Sequence, residues 1–223
     1  MVAMRYTSFW DTLQQPIIGL APMDGVTDAP NRTMHGLYGR PDVVITEFTN
    51  VEGLWRGGDR IFRDFLYTPA ERPVVAQIFG CQPEYFYKAA HVVCELGFDG
   101  LDVNMGCPAK TIANKGGGAA LIRVPDIAKA IIRAAHEGVR DWANGQTLED
   151  LEMDPERIKR IRQMRSFWRF RGFPFDSKGN TLFLAISKRF RGYASSAAKP
   201  TGGQRRNSFQ LSSRNSPRIA AIH

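Results

Sequence analysis

Residues 98–110, FDGLDVNMGCPAK, decide how the rest of the chain is read. The first half is apolar and ends in Leu101-Asp102-Val103, which suits a strand. The second half holds a thiol, Cys107, between a glycine and a proline. Gly106 permits tight backbone geometry, and Pro108 biases the residue before it away from helix. A cysteine that only fills a core sits inside a strand or helix. This one sits where a strand stops, so the sequence presents its thiol at the mouth of a sheet.

Working outward, the same strand-then-helix pattern recurs. Strands are expected at 16–21, 43–48, 73–79 and 98–104. Asp28-Ala29-Pro30 opens a helix through about Tyr38, with Pro30 in its first turn. A second helix runs over 83–96, with Tyr85, Ala89, Val92, Val93 and Leu96 on its apolar side and Gly97 as its stop. A third begins at Pro125-Asp126, carries Ile127, Ala130, Ile131, Ala134 and Ala135 on one side, and ends at Gly138. Strands apolar on both faces that alternate with helices imply an α/β fold with a parallel sheet buried under helices. A doubly wound open sheet and a (β/α)8 barrel of the TIM type both fit this pattern. The barrel is favoured because Met23-Asp24, Gln77 and the segment from Asn104 to Cys107 all fall at or just past the C-terminal ends of strands, where barrel sites form.

Only four units, and the start of a fifth, are legible. A full barrel takes about 200–250 residues. Residues 139–165 are polar, with a helix expected near 155–165. One further strand is expected at 182–186. Charge divides the chain at the same place. Residues 1–165 carry 19 basic and 21 acidic groups, net −2, whereas residues 166–223 carry 11 and 1, net +10. The expected organisation is therefore residues 1–165 as the first part of a barrel and residues 166–223 as an irregular, poorly ordered basic tail. The last 58 residues carry all of the +8 net charge.

Cys81, Cys94 and Cys107 are odd in number and widely spaced, so no disulfide framework or zinc site is expected, and a reducing cytoplasm suits them. There is no run of 18 apolar residues and no apolar signal segment at the start, so neither a membrane span nor secretion is expected. Cys81 and Cys94 read as packing residues. Cys107 reads as functional, since an unperturbed thiol, with a pKa near about 8.5, holds a proton at neutral pH and can donate it. The amide of Asn104, three residues earlier, can meet a planar polar substrate edge. Gln77, a polar residue inside VVAQIF, needs hydrogen-bond partners that a heterocyclic ring would supply. The turn of Pro22, Met23 and Asp24 can lie against a flat cofactor. Glu47 in ITEF raises the same question with less weight. The glycines at 116–118 lack a Walker A or GxGxxG pattern and suit a close backbone approach rather than a phosphate cradle.

LAPMDGVTD (20–28), ITEF (45–48), VAQIFG (75–80), DVNMGCPAKT (102–111) and GGGAALI (116–122) together resemble the tRNA-dihydrouridine synthase family, in family order and spacing. The resemblance covers about residues 12–138. It implies a TIM-type barrel flavoprotein, an oxidoreductase that binds tRNA and reduces the C5–C6 double bond of a uridine flipped out of the RNA. NADPH would reduce FMN, and the flavin would pass hydride to C6. By the same resemblance Cys107 is the general acid that protonates C5. Pro22, Met23 and Asp24 hold the flavin, Gln77 hydrogen-bonds its ring, and Asn104 faces the uracil. No metal is implied. Family motifs beyond the fourth strand are not legible, apart from Lys188 and Gly192 of ISKRFRG (186–192). This implies a chain truncated or altered after about residue 165. The alternative is an inactive remnant that binds RNA through its basic tail. A relative of the dihydroorotate or dihydropyrimidine dehydrogenases is a third reading, disfavoured by the combined APM and NMGCPA motifs.

Overall fold

The computed structural model describes residues 9–170, with the side chains of Asp59 and residues 166–170 left aside. The strand expected at 182–186, Lys188 and nearly all of the basic tail lie outside the described residues.

Five strands form one parallel sheet: β1 (Gly19–Leu20), β2 (Val43–Ile45), β3 (Thr49–Asn50), β4 (Val74–Phe79) and β5 (Gly100–Val103). β1 pairs with β2, β2 and β3 both pair with the same side of β4, and β5 pairs with its other side. β2 and β3 are therefore one strand position interrupted by a bulge. Val75 faces Ile45 and Ile78 faces Thr49, so four steps on one strand match three on the other. The extra residue lies in 46–48, and the Thr46 hydroxyl closes the gap by accepting the Gln77 N–H at 3.0 Å. Counted this way, four parallel strand positions stand side by side in chain order. An open doubly wound sheet reverses its order at a switch point; the monotonic order here is that of a barrel wall.

The helices are α1 (Ala29–Met34), α2 (Val51–Arg56), α3 (Pro83–Leu96), α4 (Lys110–Ala113), α5 (Pro125–Ala143) and α6 (Pro155–Phe170). α1 starts as its sequence dictates: Asp28 Oδ1 accepts the Asn31 N–H at 3.0 Å. It is shorter than expected, and residues 35–39 continue as a single π turn ended by Arg40 in the left-handed region (φ 48°). α3 ends at Gly97 (φ 83°), and its expected apolar residues are all buried. α5 overruns the expected stop. Gly138 lies inside it because a Cβ there would stand 2.4 Å from the Tyr87 carbonyl oxygen, so the glycine serves close packing of α5 on α3. Ile127, expected on the buried side of α5, is 41% exposed.

The core lies between sheet and helices. Val74, Ala76 and Ile78 of β4 and Leu101 and Val103 of β5 pack with Phe86, Ala89, Val93, Ile131 and Ala135. Alternation along the strands then puts Gln77 and its register partner Asp102 on the opposite face. α6 joins the core through Ile158 and Ile161.

Candidate functional site

At the C-terminal end of the sheet, a chain of amides runs from strand to strand. Gln77 Nε2 donates to Asp102 Oδ2 at 2.6 Å, and Asn104 Nδ2 donates to Gln77 Oε1 at 3.2 Å. Asn104 Oδ1 in turn accepts the N–H groups of Gly106 (3.2 Å) and Cys107 (2.9 Å). Two backbone donors require an acceptor, which fixes the orientation of the Asn104 amide and, through it, that of Gln77. Asn104 thus shapes the Cys107 loop directly, and one of its amide N–H groups remains for a ligand. Gln77 keeps one N–H and one lone pair. Asp102 was not singled out from the sequence. The signal for it was the period-two alternation that places it beside Gln77 in the adjacent strand.

The glycine-rich segment closes on the same loop. Ala119 N–H donates to the Cys107 carbonyl at 3.0 Å. Gly118 (φ 56°) lies so close that a Cβ would stand 2.6 Å from that carbonyl oxygen. These glycines clasp the cysteine loop, in keeping with the close approach expected of them.

The turn at 23–27 forms the other wall. Thr27 Oγ1 accepts the Met23 N–H at 2.8 Å, and the N–H groups of Val26 and Thr27 both return to the Met23 carbonyl at 2.9 Å. Glu47, carried inward just after Thr46, accepts the Gly25 N–H at 2.6 Å. The bulge therefore positions the residue that pins this turn. Asp24 is exposed, Pro22 half-buried, and Met23 and Val26 present apolar surface (47% and 52% exposed). A Cβ at Gly25 or Gly106 would meet nothing within 4 Å, so space is open at both ends of the site.

Burial raises the Glu47 carboxyl above its ordinary 4.5; the Gly25 N–H opposes this and nearby Asp64 adds to it. A raised acid stabilises the fold below its unfolded pKa and loses that contribution as pH rises through its folded pKa. Glu47→Gln keeps an acceptor for Gly25 without the charge. Its stability relative to the parent is expected to improve as pH rises above about 4.5 and then level off. Urea melts from acid to mildly alkaline pH check this, and parallel curves for the two proteins would contradict it. Cys94 behaves as a packing residue: burial, with Glu95 adding to it, pushes its thiol up to about 12.

The model of the family described as dihydrouridine synthase matches residues 19–144, more than half the chain. This chain belongs to the dihydrouridine synthase family. Among its relatives are a protein named "Probable tRNA-dihydrouridine synthase 2" from Bacillus subtilis (strain 168), 44% identical over 133 residues, and one named "Probable tRNA-dihydrouridine synthase" from Staphylococcus aureus (strain COL), 41% identical over 133 residues. Each match covers 59% of this chain, and 41% and 40% of the respective relatives. This member of the family thus aligns with about two fifths of each relative's length, and its parallel α/β sheet is consistent with part of the family's TIM barrel. All the site residues named above lie inside the matched region. Among the described residues no helix is long and apolar enough to cross a membrane, and no cluster of His, Cys, Asp or Glu suits a metal.

Proposed function

We propose that this chain carries the proton-donating and ring-facing half of a tRNA-uridine reductase that works with FMN and NADPH. One observation carries the reading: the hydrogen-bonded run Asp102–Gln77–Asn104, which ends on the backbone N–H of Cys107 at the strand ends. The residues present suit a flavin ring. Met23 and Val26 offer an apolar edge, Pro22 and Asp24 complete the turn, and Gln77 keeps a donor and an acceptor in a nearly buried position.

When bound, reduced FMN would supply the hydride that goes to C6 of the uracil. The chain's own residues do the rest. The remaining Asn104 N–H holds a uracil oxygen. The Asn104-capped turn and the glycine clasp hold Cys107 at the mouth, where its Sγ–H delivers a proton to C5. Asp102 keeps the Gln77 amide facing one way, and Glu47 holds the Met23 turn in place. A reduced C5–C6 bond needs one hydride and one proton, so the accounting closes with Cys107 as the acid.

Residues 1–165 act in this reading as the first part of the flavin-binding barrel and residues 166–223 as a basic tail. The compartment that suits the three free cysteines and the tRNA substrate is the cytoplasm. A second reading rests on the net +10 of that tail: RNA binding without catalysis. The test is to load the full chain with FMN, remove free flavin, and incubate it with NADPH and unmodified tRNA. Retained flavin and dihydrouridine in the tRNA are expected. A chain that holds no flavin and leaves uridine untouched, yet binds tRNA in a salt-dependent manner, would replace the first reading with the second.

A further inference from the structure

α2 and α6 meet along an open groove of about 640 Å³, bordered by Trp55, Arg56 and Gly57 at the end of α2 and by the first turns of α6. α2 starts directly after β3, at the mouth end of the sheet, so its length of about 9 Å separates the groove from the mouth. Four basic side chains line it, Arg56, Arg157, Lys159 and Arg160, against two acidic ones, Asp154 and Glu156. The groove is therefore net +2 on a body, residues 1–165, that is net −2. Both acidic groups are engaged within α6. Asp154 Oδ1 accepts the Arg157 N–H at 2.9 Å, and Glu156 pairs with Lys159 at 3.3 Å. That second pair is well exposed on both sides, so it holds Lys159 only weakly. Arg157 prepares the floor. It donates to the carbonyls of Gly53, Leu54 and Gly57, which offsets the negative end of α2 where an anion would otherwise be repelled. On the α3 side, Arg56 lies over the Tyr85 ring at 5.3 Å, and Lys88, paired with Glu84, lies over Trp55 at 5.1 Å. Aromatic faces thus hold these cations at fixed places.

We propose that this groove docks the phosphate backbone of the RNA substrate, with Arg56 and Lys159 as the contacting cations. The inference rests on the tRNA reading above and adds to it a second contact surface, on the body of the protein and apart from the mouth. Charge complementarity selects the occupant: a cationic groove on an otherwise acidic body fits a polyanion, and phosphate contacts fix position without reading sequence. Arg157 is a positioning residue here, since its guanidinium is taken up by the α2 carbonyls. α6 lies past residue 144, where the family-matched region ends, so one wall of the groove is built by a segment outside that region. A uridine drawn into the mouth then has its flanking backbone held at the outer layer, which sets the angle at which the RNA approaches.

The test compares two double variants of the full 223-residue chain for binding of unmodified tRNA, by fluorescence anisotropy across a salt series, with circular dichroism to confirm folding. Arg56→Gln with Lys159→Gln removes two charges from the groove. Lys129→Gln with Arg133→Gln removes the same charge from the exposed side of α5. All four positions are exposed, so both variants should stay folded. The groove variant is expected to bind about tenfold or more weakly near 0.1 M salt, and its slope of log affinity against log salt should be shallower by about 1.4–1.8, the worth of two phosphate contacts. The α5 variant should stay within about twofold of the parent. Equal losses in both variants would overturn the proposal, because net charge alone would then explain them. Parent-like binding by the groove variant would overturn it too, and would leave the groove to an acidic protein partner. In that case the tRNA reading stands, since the parent still binds. A parent that binds no tRNA would overturn both. The measurement needs neither flavin nor turnover, so a chain without activity still decides it.

Discussion

Cys107→Ala is expected to keep whatever FMN the parent chain holds and to lower the rate of uridine reduction by about 10²–10⁴-fold, the usual worth of a positioned general acid. The argument for retained flavin is geometric. What shapes the loop is backbone: the Asn104 cap on the N–H groups of Gly106 and Cys107, and the Ala119 N–H on the Cys107 carbonyl. None of these bonds uses the sulfur. The assay pairs flavin stoichiometry with dihydrouridine formed per enzyme. Undiminished reduction would remove Cys107 from the proton-donor role, and lost flavin would assign it to binding instead.

The second large effect concerns stability. Arg32 and Glu71 form a fully buried pair at 3.0 Å. Arg32 also donates to the Thr27 carbonyl at 2.7 Å and the Leu66 carbonyl at 2.5 Å, and Glu71 accepts from Thr33 Oγ1, Thr68 N and Thr68 Oγ1. Arg32→Met strands a carboxylate among groups that burial already pushes toward the protonated form; in the parent, Arg32 is the main counterweight. The expected loss is about 3–5 kcal/mol, or roughly 10 °C in melting temperature for a chain of this size. The deficit should narrow at acid pH, where Glu71 takes a proton in the variant, and Arg32→Met with Glu71→Gln should recover part of it. A loss below about 1 kcal/mol would show that the pair is a bystander. Because Arg32 holds the Thr27 carbonyl, the variant should also loosen the turn at 23–27.

The fold was legible where local chemistry and long-range packing agree. The Asp28 cap, the stop at Gly97 and the alternating units all stand as the sequence implied. What was missed depended on partners distant in the chain. Gly138 reads as a helix stop until α3 is seen against it. β3 and α2 are short, and Gly53 breaks the apolar period of α2; a Cβ there would stand 2.2 Å from Ile61. At the site, Cys107, Asn104 and Gln77 were visible as residue types out of place for their elements. Asp102 and Glu47 were harder to weigh, because their importance rests on register and on a one-residue bulge that no single strand reveals.

Arg157 bears on how such a chain is made. Its guanidinium donates to the carbonyls of Gly53, Leu54 and Gly57 at the end of α2, from about a hundred residues further along. The Gly53 carbonyl also accepts the Gly57 N–H at 2.7 Å, and Arg157 supplies donors to the Leu54 and Gly57 carbonyls beyond it. During synthesis the chain emerges N-terminus first, at about 5–20 residues per second, so for several seconds α2 waits on the ribosome with its last turn open to water. The second barrel unit is thus completed only by a segment that lies past residue 144, beyond the family-matched region. A ribosome that stalled just after α5 would release a nascent chain with every candidate site residue present and one helix still unfinished.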